Sequence, residues 1–181
     1  MYSYKKKSFW NENGEFVLKI LLRLGISALV SIVVSAVIYF FFINVFTIPS
    51  SAMLPKYPIG KRLLINCWSP SANLSYEDIV ISKYLETELV IIGKIVGKPK
   101  DKIKIVNKKV YRNNQIINEA GIQFTDKRSP LSLSFSKRDN LNEIELQENE
   151  YFILCNNRDE CVDSREIGKI NANKILGKVI F

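Results

Sequence analysis

A chain of 181 residues, 47% hydrophobic and 24% charged, is long enough for one compact domain plus an accessory segment and too apolar for disorder. It contains no histidine, which excludes Ser/His/Asp and Cys/His nucleophile systems, HExxH zinc sites and His-ligated metals, because each needs an imidazole. The formal net charge of +8 suits nucleic acid or an anionic membrane surface, and where that charge sits decides between them.

The first 23 residues hold Lys5, Lys6, Lys7, Lys19 and Arg23 against Glu12 and Glu15. From Leu24 to Pro55 no residue is charged. Crossing a bilayer takes about 20 mostly apolar residues, and Leu24 to Ile43 supplies them, so a single transmembrane helix is predicted over 24–48. A cleavable signal peptide would have an apolar region of only about 7–15 residues. The basic flank places the N-terminal 23 residues in the cytoplasm, which leaves 49–181 as an extracytoplasmic domain of a single-pass protein in the cytoplasmic membrane. The basic excess of that domain is spread along it and lacks interleaved aromatics, which fits a lipid surface and not a nucleic-acid groove.

Beyond the span, short runs rich in β-branched and aromatic residues alternate with turn formers: KRLLINCW, DIVISKYL, ELVIIGKIVG, DKIKIVN, KKVYR with QIIN, YFILC and KILGKVIF. They predict a mainly β, antiparallel domain. Asn113-Asn114 suits a tight hairpin turn, since asparagine tolerates positive φ. The stretch 126–149 carries few strand signals and reads as an excursion or a small subdomain. Met53, Leu54, Tyr57 and Pro58 read as an apolar set suited to lipid insertion. Cys155 and Cys161 lie six residues apart, and in an oxidising compartment they could pair and leave Cys67 free; the spacing leaves this open.

Three motifs are more specific: IPSSAMLPKYPIGKRLL at 48–64, GKIVGKPKDKIKI at 93–105 and NNRDECVDSREIG at 156–168. Smaller echoes are EDIVISKY at 77–84 and the hairpin ending in Asn118-Glu119. In order, in spacing and in their place behind an apolar anchor they resemble the type I signal peptidases, membrane-bound serine peptidases that remove signal peptides from exported preproteins. The resemblance implies a β domain of signal-peptidase type, a serine nucleophile and a lysine base. A lysine acts as a base only when neutral, which requires burial.

Residue by residue, the resemblance also shows departures. The first motif usually reads Pro-Ser-x-Ser-Met-x-Pro; Pro49, Ser50, Met53 and Pro55 match, but the nucleophile position is Ala52. Ser50 takes the place of the oxyanion-hole serine. In the second motif, Val96, Gly97, Pro99 and Asp101 fix the register and put Gly93 at the base position, followed by Lys94. In the third, Cys161 stands where a serine normally bonds the base, while Arg158, Asp159, Asp163 and Arg165 are retained, the last two matching a structural ion pair. No cofactor or metal is implied. The expected function is therefore that of a catalytically defective signal-peptidase-like protein that binds signal peptides or an active signal peptidase. The alternative is an active peptidase using a shifted Ser51/Lys94 dyad, although a one-residue shift along an extended chain turns side chains to the opposite face.

Overall fold

The computed structural model describes residues 9–68, 74–83 and 90–180. The basic run Lys5–Lys7 and the end of DIVISKYL lie outside them. The chain divides into two units, Met1–Phe41 and Phe42–Phe181.

The first unit is helical, within α1 (Phe9–Phe42). Its segment Gly14–Tyr39, of mean hydropathy 2.3, is long and apolar enough to cross a membrane. Every residue from Leu18 to Tyr39 is exposed, so the helix shows no apolar stripe facing a protein core and presents apolar side chains all round. The helix ends at Phe42, earlier than the predicted 48, because Ile43–Thr47 form strand β1 and pair antiparallel with β2 (Arg62–Asn66). Ladder hydrogen bonds to a neighbouring strand outweigh continuation of an apolar run that by itself suits either state.

The second unit is antiparallel β. Its larger sheet has the order β1-β2-β11-β3-β4-β9-β10, with β3 at Ile79–Lys83, β4 at Val90–Gly97, β9 at Glu150–Leu154, β10 at Ile170–Asn171 and β11 at Ile175–Val179. The smaller sheet has the order β7-β6-β5-β8, with β5 at Lys102–Val106, β6 at Lys109–Arg112, β7 at Gln115–Ile116 and β8 at Leu141–Glu145. Both turns of the β5–β6–β7 meander place two consecutive residues at positive φ, Asn107 and Lys108, then Asn113 and Asn114. That backbone suits two-residue hairpins because its twist matches the strands. β8 lies within 126–149, so part of the predicted excursion is a strand edging the smaller sheet.

The two faces of the larger sheet build separate apolar clusters through the period-2 alternation of its strands. Ile79, Ile81 and Ile92 pack with Ala52, Met53, Leu63, Ile65 and Cys155 on one face. Val80, Ile95, Ile153, Ile170 and Ile175 form the other. Met53 is fully buried in the first cluster, so it belongs to the core and not to a lipid-inserting set. A third cluster, Val96, Ile103, Ile105, Val110, Leu146, Phe152 and Leu154, spans both sheets. Gly97 sits inside it: a Cβ there would meet Leu146 Cδ1 at 2.8 Å and Ile103 Cγ1 at 2.9 Å, which is why a glycine stands at this crossing.

Candidate functional site

After β1 the chain runs extended through Pro49 and Ser50 and tightens into a short 3-10 turn, Ser51–Met53, followed by a cis Leu54-Pro55 peptide. The turn is held from the third motif, since the main-chain N–H of Asn157 donates to the carbonyl of Ala52 at 2.9 Å. Ala52 is only 8% exposed. Beside it lies a pocket of about 220 Å³ lined by Ser50, Ala52, the β4 residues Val90, Ile91 and Ile92, and Glu160, Cys161 and Val162. The structure thus brings together Ser50, Ala52 and Cys161.

Gly93 follows Ile92 on β4 but does not line the pocket. It pairs with Val80, on the opposite face from Ile92. A Cβ at Gly93 would lie 2.8 Å from both Ile153 Cγ2 and the Leu154 carbonyl oxygen, so a side chain at 93 enters the second cluster, against the backbone of β9. Lys94 falls on the Ile92 face, and its side chain is only 7% exposed. Its ammonium donates to Glu77 at 3.0 Å and to the Ala120 carbonyl. The Ser51 hydroxyl lies 3.5 Å from Glu160. Ser51 and Lys94 share no hydrogen-bond partner among the described residues.

The third motif is fixed by buried charges. Asp163 caps the short helix α2 (Ser164–Ile167), accepting from the Arg165 N–H, and binds the Arg165 guanidinium at 2.8 and 2.9 Å. Arg165 also donates to the Arg158 and Arg138 carbonyls at 2.6 and 3.0 Å. Arg158 pairs with Glu119 and donates to the Cys155 carbonyl at 2.7 Å. Burial pushes the Arg158 guanidinium below its ordinary value, against the pull of Glu119. Such a pair is costly to break, because either partner left alone is an uncompensated buried charge. Cys155 and Cys161 are joined as a disulfide with their Cα atoms 6.6 Å apart, within the usual span of such bridges, and Cys67 is free. A disulfide sulfur at 161 has no proton to donate.

The segment after β7 clamps onto this motif. The Gln123 N–H donates to the Asn156 carbonyl, the Arg158 N–H to the Gln123 carbonyl, and the Asp126 N–H to the Asp159 carboxylate at 2.8 Å. Arg138 joins Asp126, Asp139 and Asp159 at 2.9, 3.0 and 3.5 Å. In the second motif, Asp101 accepts from the Lys98 N–H, the Tyr76 hydroxyl and the Asn113 amide, which fixes the turn through Pro99. Sequence reasoning passed over Glu160 and the Asp126–Arg138 pair, and singled out Glu119 without its pairing to Arg158. The first sits inside a quoted motif, but its exposure to the pocket is set only by folding.

The family model described as signal peptidase, peptidase S26, matches residues 21–181. Signal peptidase I of Bacillus amyloliquefaciens is 25% identical over 162 residues, covering 87% of this chain and 82% of that one. Signal peptidase IB of Staphylococcus aureus is 25% identical over 170 residues, covering 90% and 89%. A crystal structure of signal peptidase I from Enterococcus faecalis superposes with a TM-score of 0.46 at 17% identity, covering 57% of this chain and 94% of that one.

Proposed function

The chain belongs to the signal peptidase family, peptidase S26, and from that premise we propose that it is a non-cleaving member that holds signal peptides, or works alongside an active signal peptidase, in protein export. The observation that carries this reading is Ala52, a methyl group at the nucleophile position in the wall of a pocket that is otherwise built. Acyl transfer by a serine peptidase needs a hydroxyl and a base positioned to take its proton. Here the hydroxyl is missing at 52, the base position is a glycine facing the other side of the sheet, and the adjoining lysine, Lys94, is engaged by Glu77.

Binding is better served than cutting. The pocket is mostly apolar, and β4 is paired on one side by β3 along Val90–Lys94 but by β9 only from Lys94 onward. Beside the pocket, Val90–Ile92 therefore has an open side among the described residues, to which an extended peptide can add as a strand. The helix α1 with its basic flank supports a single-pass anchor with the N-terminus in the cytoplasm and the β domain outside. Protease applied outside spheroplasts then degrades the β domain and spares the first 23 residues.

The test is titration of the full-length protein in detergent with a fluorescent signal peptide, followed by fluorescence anisotropy. Saturable binding is expected, weakened at least tenfold by Val162→Trp, which blocks the pocket from its exposed rim without touching the core. Absence of saturable binding, or binding unchanged by that variant, would contradict the reading.

A further inference from the structure

The pocket has an electrostatic character opposite to that of the chain. The protein carries a net +8, yet the only ionisable side chain among the pocket-lining residues is a carboxylate, Glu160. Its Oε2 accepts from the Asn157 amide at 3.2 Å and lies 3.5 Å from the Ser51 hydroxyl. Both groups are neutral. Its Oε1 takes no hydrogen bond, and Glu160 forms no ion pair, among the described residues. Neighbouring cations are committed elsewhere: Lys94 to Glu77, Arg158 to Glu119 and Arg165 to Asp163. Among the described residues no cationic side chain lines the pocket to offset the carboxylate. What remains is an apolar cavity with an unneutralised negative charge on its exposed rim.

We infer that Glu160 makes this pocket select peptide segments in which a lysine or arginine adjoins the apolar residue that fills it. The inference rests on the peptide-binding reading above and adds the chemistry of the preferred segment. Asn157 and Ser51 hold Oε2, so the carboxylate is oriented before a ligand arrives, and Oε1 stays available to an ammonium or guanidinium. A carboxylate in the peptide at the same place meets like charge and is rejected. Because Glu160 is exposed, the effect is modest and salt-dependent.

The experiment uses the full-length protein in detergent and one signal-peptide sequence synthesised with Lys, Gln or Glu at each of the two positions following its apolar anchor. The Lys peptide is expected to bind about two- to fivefold more tightly than the Gln peptide at low salt, with the Glu peptide weaker again and the spread shrinking in 0.5 M NaCl. Glu160→Gln keeps acceptors for Asn157 and Ser51 and should bind all three alike; Glu160→Lys should invert the order, which a merely structural role for Glu160 would not do. Equal binding by the native protein, or an order that survives Glu160→Gln, overturns the inference while leaving the peptide site standing. If none of the peptides binds, the peptide-site reading falls and the inference with it.

Discussion

The carbonyl of Ala52 accepts a 2.9 Å hydrogen bond from the main-chain N–H of Asn157, so position 52 is tied to the third motif through its backbone. The tie does not depend on the side chain at 52. Ala52→Ser is therefore expected to keep stability within about 1 kcal/mol of the native protein, the added hydroxyl facing the pocket, and still to cleave no preprotein for want of a base. Thermal melting and a gel-based cleavage assay check the two halves.

Gly93 is held to glycine by β9. A Cβ would sit 2.8 Å from Ile153 Cγ2 and from the Leu154 carbonyl oxygen, and a backbone atom cannot swing aside as a long side chain can. Gly93→Ala is expected to cost about 1–3 kcal/mol in urea unfolding, and Gly93→Lys at least as much. Restoring the lysine together with Ala52→Ser thus requires β9 to shift before any activity can return. A Gly93→Ala protein as stable as the native one would show that β9 yields there.

Acid should loosen the clamp around Arg138. The Arg128 side-chain and N–H hydrogen bonds, with Arg138 after them, hold the Asp126 carboxyl well below the usual carboxylate range. For Asp139 burial pushes the other way, but the Arg138 guanidinium and the Leu131 N–H bring it below its ordinary value. A carboxylate depressed in the folded state binds fewer protons than in the unfolded chain, so its stabilisation is present above about pH 4 and fades as pH falls through the folded value. The melting temperature is expected to drop steadily from pH 5 to pH 2.5, with a shallower slope in Asp126→Asn. An unchanged slope in that variant would remove Asp126 from the clamp's acid response.

Thiol counting separates Cys67 from the paired cysteines. Alkylation of the denatured, unreduced protein is expected to label Cys67 alone, and after reduction to label all three cysteines, as read by intact mass. Three labels before reduction would mean that Cys155 and Cys161 are thiols.

The strands most legible in the sequence were those whose β-branched residues are bounded by turn formers, such as Ile79–Lys83 and Lys102–Val106, and the Asn113-Asn114 turn, whose positive φ asparagine accommodates. β1 was not legible because Ile43–Thr47 continues the uncharged run of the helix, and only the ladder to Arg62–Asn66 ends it. β8 was hidden in Leu141–Glu145, where charged and amide residues mask an alternation that pairing with Lys102–Ile105 reveals. At the site, motif spacing identified Ala52 and Cys161, which meet at one pocket. Spacing could not tell which face Gly93 presents, because that follows from the β3 and β9 registers. Nor could it show that Lys94 is taken up by Glu77 across the strand.

Whether the unmodified protein cuts is the most direct measurement. Full-length protein in detergent, incubated with an excess of a preprotein, is expected to yield no mature product over hours, while an active signal peptidase in the same assay processes it fully. Turnover by the native chain that Ser51→Ala or Lys94→Ala abolishes would contradict the non-cleaving reading and establish the shifted dyad.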